Sequence, residues 1–231
     1  MSKKVLVITG HMQADGWQRI SDLTLPTKQA YVDKWGGRLI NVVGQDKWAE
    51  LCSEDGIRKW NHFGFARTRA CEISMRYHLK HQEFTGIETI LYLDADAAFT
   101  RYDVNLGEYL DSVSPTSAFY ASLDHNGINT GSMAFRVCAA SLELLERVWN
   151  ADPKHDVGSW WEQGCLSTIA TKMGIMAHPE KAFFDAYPQE PIRWDCPDFI
   201  PGYSFIVHAP AKSDEERLAG LSWCIENGGK V

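Results

Sequence analysis

The chain begins with an unbroken apolar run, KVLVITG (4–10), stopped by glycine. Leucine and β-branched positions without polar alternation mark a strand covered on both faces, as in a parallel sheet. LTLPTKQAYVDKWGG (23–37) predicts a helix with Thr24 as N-cap. Pro26 sits near its start, where a missing N–H costs little, and Gly36–Gly37 end it. RLINVVG (38–44) reads as a second strand, so the chain opens β-α-β and calls for parallel pairing with a right-handed crossover. QDKWAELCSEDGIRKWNH (45–62) has no clean period and reads as a long loop or a short helix. In FARTRACEISMRYHLKHQE (65–83), Ala66, Ala70, Ile73 and Tyr77 fall on one helical face. TGIETILYLDAD predicts a turn and a buried strand, and SAFYASLD (117–124) and SMAFRVC (132–138) two strands flanking HNGINTG. SLELLERVWN and WWEQGCLSTIATKMG follow as helices, the second closed by Gly174. IMAHPEKAFFDA and SFIVHAP end the fold as short strands around the stretch from Pro188 to Pro201.

This alternation predicts a single α/β domain, an open and mostly parallel sheet flanked by helices. Ligands of such sheets bind beyond the carboxyl ends of the strands. Asp94 and Asp96 follow one such end, and Thr9, Gly10 and His11 close another, as a ligand-facing edge or as a plain strand-ending turn.

Composition narrows the partners. The net charge of −7 over 231 residues argues against unaided binding to a nucleic-acid backbone, which needs clustered Lys and Arg. Six cysteines include no CxxC pair, so reduced thiols in a cytoplasmic protein are expected. The apolar run after Lys3 and Lys4 is too short for a signal peptide, and no stretch approaches a membrane span, so a soluble protein is expected.

The chemistry gathers on LYLDADAAF (91–99). Two carboxylates at a strand end can hold a hard divalent cation, do covalent chemistry, or cap a turn. On an ideal strand they would point to opposite faces; a turn at the strand end lets both approach one point. The stretch imitates the nucleophilic D-x-D of haloacid-dehalogenase-type phosphatases, but neither a downstream DD nor a GDxxxD accompanies it.

Taken together, FARTRACEI, ETILYLDADAAF, INTGSMAFR, WWEQGCLSTIA and FIVHAPAK resemble GT-A-fold glycosyltransferases, closest to the retaining galactosyl-, glucosyl- and xylosyltransferases of the GMA12/MNN10 and LgtC/glycogenin types. The likeness runs from Phe65 to Lys212. It implies one GT-A (Rossmann-like) catalytic domain over 1–231, with a nucleotide-binding half (about 1–100) ending in DxD and an acceptor and sugar half (101–231). By this resemblance Asp94, Asp96 and His208 are metal ligands for Mn²⁺ or Mg²⁺, Asp94 also reaching the ribose. Arg67 reaches sugar or phosphate, Asn129 sugar hydroxyls, Lys212 the diphosphate, and Thr9, Gly10 and His11 the base and ribose. Gln163 sits below the anomeric carbon beside Glu162, which departs from the usual aspartate by one methylene. The implied activity moves a hexose or pentose from a UDP-sugar to a hydroxyl, with retention. Trp160, Trp161 and Trp194 suggest a glycan acceptor. A phosphatase, or a nucleotide-sugar-binding module without catalysis, is the alternative. No anchoring segment is expected, in departure from Golgi relatives.

Overall fold

The computed structural model describes residues 3–12, 15–52, 63–151, 161–188, 198–210 and 213–229. In chain order the elements are β1 (Lys4–His11), α1 (Asp15–Trp35), β2 (Arg38–Val43), α2 (Gln45–Cys52), α3 (Phe63–Lys80), α4 (Gln82–Thr85), β3 (Ile87–Leu93), β4 (Ala97–Phe99), α5 (Leu106–Val113), β5 (Phe119–Asp124), β6 (Gly127–Arg136), α6 (Ala139–Asn150), α7 (Trp161–Met173), β7 (Met176–Ala177), α8 (Lys181–Phe184), β8 (Ile206–His208) and α9 (Asp214–Gly228). A six-stranded sheet runs β2-β1-β3-β6-β5-β7, and β4 pairs with β8 in a two-stranded sheet of its own. The β1–β2, β1–β3 and β5–β7 pairs are parallel, while β6 runs antiparallel to both neighbours. The expected mostly parallel sheet flanked by helices is what the chain forms.

The pleat explains why the first and third strands are apolar throughout. Leu6, Ile8, Ile90 and Tyr92 enter one buried cluster with Met75 of α3, Leu144 of α6 and Leu166 of α7. Their neighbours Val5, Val7, Leu91 and Leu93 enter the other with Tyr31 of α1 and Leu110 of α5. Alternate side chains therefore leave opposite faces, and both faces are covered. A third cluster joins Ile20 of α1 and Leu221 of α9 to Val207 and Ala98.

Several expectations change. Helix α1 starts at Asp15, two turns before the anticipated cap, so Pro26 lies in its interior. Thr24 caps nothing; its hydroxyl donates to the Ala95 carbonyl at 2.6 Å. On α3 the stripe through Ala66 and Ala70 turns away from Ile73 and Tyr77, which are exposed, and toward Cys71 and Met75. The two apolar residues lost the competition because the helix packs on a sheet and on α6 together, where Cys71 and Met75 point. Most of HNGINTG is strand: β6 starts at Gly127, whose φ of 106° only glycine adopts readily, and Asn129 lies within it. IMAHPEKAFFDA yields only the two-residue β7 and the one-turn α8, and the fold ends on α9 rather than on a strand. The α9 signal is legible afterwards: Ser213 and Glu216 form a capping box.

The β1, α1 and β3 elements meet at one fully buried lysine. Lys28 Nζ donates to Thr9 Oγ1 at 2.9 Å, to the Asp94 carbonyl at 2.9 Å and to Thr24 Oγ1 at 3.4 Å. Burial, against the pull of Asp96 and Asp94, brings its pKa down to about 7. Lys28→Met is expected to lower unfolding stability by about 2–4 kcal/mol, because acceptors in β1, in α1 and in the turn after β3 lose their donor. Urea unfolding checks this; a loss below about 1 kcal/mol would contradict the assigned role.

Candidate active site

Parallel pairing sends the carboxyl ends of β1 and β3 to the same edge, with Ile8 opposite Tyr92. The antiparallel β6 brings its early residues there as well, Ser132 lying opposite Leu93. At that edge the Asp94 N–H donates to the Gly131 carbonyl at 2.8 Å, and the Ala97 N–H donates back to the Asp94 carbonyl at 3.0 Å. This tight turn overrides the strand's two-fold alternation and turns both carboxylates to one side. The β4–β8 pair then supplies the third group: Ala97 is opposite His208, and the Ala209 N–H donates to the Asp96 carbonyl.

His208 Nε2 lies 3.8 Å from Asp94 Oδ2 and 3.6 Å from Asp96 Oδ1. One ligand atom from each of the three residues falls within 4.8 Å of the others. On the other side of the ring, His208 Nδ1 lies 3.2 Å from Asp185 Oδ1. Burial alone would lower the His208 pKa, but Asp185 and Asp96 outweigh it and raise the value to about 10. Burial alone would raise that of Asp96, but His208 and Arg217 outweigh it and hold the carboxyl below its ordinary value. A Cβ on Gly131 would stand 2.0 Å from His208 Cε1, so only glycine at 131 leaves room for the ring.

Arg67 clamps the other side of Asp94. Its Nη1 donates to Asp94 Oδ1 at 2.6 Å, and its Nη2 is ion-paired with Glu162 Oε1. The guanidinium caps the Tyr92 ring, 5.4 Å from its centroid. Burial opposes its charge, but Asp94 and Glu162 outweigh this and drive its pKa well above the ordinary value. The anion that a cation near a helix start calls for is thus a pair of the protein's own carboxylates. Glu162, at the start of α7, also accepts from Thr130 Oγ1 at 3.3 Å, and Gln163 Oε1 lies 3.5 Å from the same hydroxyl. Gly64 makes this possible, since a Cβ there would collide with the Glu162 carboxylate at 1.8 Å.

The remaining expected residues divide. Thr9 is spent on Lys28. Gly10 lines the site with its backbone, but its missing side chain makes room for the Val42 carbonyl, 2.1 Å from a built Cβ, and for Trp48. His11 is buried, and neither ring nitrogen has a hydrogen-bond partner among the described residues. Burial is the chief cause of its lowered pKa, so the ring is neutral at pH 7. It borders a cavity of about 230 Å³ lined also by Trp17, Gly64, Arg67 and Asp94. A second hollow of about 510 Å³, lined by Val43, Gly44, Asp46 and Lys47, shares Met12 with the first. The Asn129 amide is engaged within the protein: Nδ2 donates to Asp124 Oδ2 and to Tyr187 Oη, both at 3.0 Å, and Oδ1 accepts from the Gly131 N–H at 2.8 Å. Lys212, Trp160 and Trp194 lie outside the described residues, as does the Trp161 side chain.

Three residues of this edge escaped the sequence reading. Arg217 of α9 places Nε 3.2 Å from Asp96 Oδ2 and stacks its guanidinium 4.8 Å from the Trp17 ring centroid. The capping box that begins α9 was the available signal for it. Lys28 and Asp185 carry no local signal, since each meets its partners only through distant parts of the chain. Cys71, Cys165 and Cys224 are buried and Cys138 is partly exposed. Among the described residues no helix is long and apolar enough to cross a membrane.

Two carboxylates and an imidazole within 4.8 Å are a donor set suited to a divalent cation.

No family model and no curated protein matches the chain. Solved structures do. A glycosyltransferase involved in the glycosylation of the major capsid of PBCV-1 aligns over 95% of this chain and 99% of its own, with a TM-score of 0.65 and 13% identity. The galactosyltransferase LgtC, solved with donor and acceptor sugar analogs, aligns over 98% and 96%, with a TM-score of 0.55 and 13% identity. Mouse xyloside xylosyltransferase 1 aligns over 91% and 98%, with a TM-score of 0.51 and 13% identity. The chain has the fold of the GT-A glycosyltransferases.

Proposed function

We propose that the protein is a divalent-cation-dependent glycosyltransferase that moves a hexose or pentose from a UDP-sugar to a hydroxyl acceptor, with retention of anomeric configuration. The observation that carries the reading is the convergence of Asp94, Asp96 and His208 at the carboxyl edge of a GT-A sheet. The fold likeness favours transfer over the phosphatase reading of the same aspartates. Asp94, Asp96 and His208 would hold the cation, Mn²⁺ or Mg²⁺. When bound, it would offset the negative charge that grows on the diphosphate as the glycosidic bond breaks.

The protein's own groups have separable tasks. The adjoining hollows at the ends of β1 and β2 are large enough together for a nucleoside, and the neutral His11 ring offers it one donor and one acceptor. Arg67 and Lys212 supply positive charge toward the sugar diphosphate. Asn129 meets sugar hydroxyls by exchanging one of its internal partners. Glu162 orients the sugar from a carboxylate held by Arg67 and Thr130. That clamp disfavours Glu162 as a mobile nucleophile, and the Gln163 amide is a poor one. The acceptor hydroxyl is therefore proposed to attack from the face the diphosphate leaves, passing its proton to the departing phosphate oxygen. Gln163 lies beneath the reacting carbon and steadies the developing positive charge with its carbonyl oxygen.

Calorimetry with UDP tests the donor site. Wild type is expected to bind UDP in Mn²⁺ and to lose at least tenfold in affinity in EDTA. Asp96→Ala is expected to bind as weakly in Mn²⁺ as wild type does in EDTA. Equal binding with and without the cation would sink the reading. Gln163→Ala is expected to keep the UDP affinity of wild type while its kcat for transfer falls about 10²-fold, as expected for a contact that strengthens in the transition state. Full transfer activity in that variant would remove Gln163 from the mechanism.

A further inference from the structure

Asp185 is a completely buried carboxylate whose chain neighbours Phe184 and Ala186 are completely buried as well. Such a group is costly unless a charge or hydrogen bond compensates it. Neither of its carboxylate oxygens has a well-aligned hydrogen bond among the described residues. Its near polar contact is His208 Nδ1, 3.2 Å from Oδ1. The backbone on both sides holds that contact in place. The Asp185 N–H donates to the Lys181 carbonyl, Lys181 Nζ donates to the Asp185 carbonyl, and Ala186 is bracketed by hydrogen bonds with Ile206 and His208. The opposite ring nitrogen, Nε2, faces Asp94 and Asp96.

An imidazole has two tautomers, and only the one protonated on Nδ1 leaves a lone pair on Nε2 for a cation. A carboxylate beside Nδ1 selects that tautomer and fixes the plane of the ring. We propose that Asp185 is the positioning residue of the cation site: it accepts the Nδ1–H of His208 and so aims Nε2 at the point that Asp94 and Asp96 share. The role is not filled by packing alone, because Asp185 approaches the ring edge rather than an apolar surface. The inference rests on the cation reading given above and adds to it a fourth residue, from a segment of the chain that none of the three ligands belongs to.

The test is uptake of Mn²⁺, read as loss of the free-ion electron paramagnetic resonance signal, with Mn²⁺ alone and with Mn²⁺ plus UDP. Wild type, Asp185→Asn, His208→Ala and the double variant are compared, and urea unfolding confirms that each is folded. Asp185→Asn is expected to weaken Mn²⁺ binding about 10- to 100-fold. In the His208→Ala background the same substitution is expected to change nothing, because there is no ring left to aim. Wild-type affinity in Asp185→Asn would overturn the inference while leaving the cation site standing. An equal loss in both backgrounds would also overturn it, since that pattern marks a general structural role. If wild type takes up Mn²⁺ under neither condition, the cation reading itself fails, and this inference with it. Should Asp185→Asn not fold, Asp185→Ser carries the same comparison.

Discussion

Four carboxylates, Asp94, Asp96, Asp185 and Glu162, are drawn together at one edge of the sheet, three of them almost wholly buried. Like charges in a poorly hydrated place repel strongly and cannot stay ionised without positive partners. Each partner comes from a different element: Arg67 from α3, His208 from β8 and Arg217 from α9, with Lys28 of α1 beneath the turn. Asp94 lies between Arg67 and His208, and Asp96 between His208 and Arg217, so the charged edge ties these elements to one another. The small β4–β8 sheet is held at the DxD turn by this charge pairing and by apolar packing together, since Phe99 and Ile206 enter the core cluster of Tyr31 and Leu91.

The same arrangement prepares the edge for chemistry. Most of the polar groups that would meet the proposed sugar nucleotide are already fixed by one another, which would spare reorganisation as charge develops. The Arg67–Glu162 pair locks the start of α7 against Asp94, and Thr130 links Glu162 to Gln163. His11 differs from these groups, since it borders the cavity and its buried nitrogens have no hydrogen-bond partner among the described residues. Glycines 64 and 131 keep two of these contacts possible by their lack of a side chain, one beneath Glu162 and one beneath His208. Their place in the sequence gives no hint of this, because the atoms they make room for lie 98 and 77 residues further along the chain.

Much of the architecture was written in the local pattern. Unbroken apolar runs announced β1 and β3, and glycine stops, turn residues and helical periodicity announced α1, α3, α6 and α7, but not α5 or α9. The order of the landmarks from Phe65 to Lys212 pointed to the fold that the structural likenesses bear out. Those signals are legible because they arise from steric and solvation rules acting within a few residues. The same locality explains the failures. The early start of α1 was hidden by a proline that tertiary packing tolerates mid-helix, and the tilt of the α3 stripe was decided by the two layers it touches. Asn129 was expected in a turn and lies in a strand because the hairpin tip is shorter than its polar composition suggests.

The sequence by itself determined that a buried strand would deliver Asp94 and Asp96 to the carboxyl edge of a mostly parallel sheet, and it singled out Arg67, Glu162 and His208 as residues of interest. Only the tertiary structure decided that Arg67 bridges Asp94 to Glu162, that a turn swings both aspartates toward His208, and that Asp185, Lys28 and Arg217 complete the set. The reason is physical: strand and helix formation is dictated by neighbours in the chain, whereas the balance of buried charge depends on distances between segments that lie far apart in sequence and are fixed only when the whole core has closed.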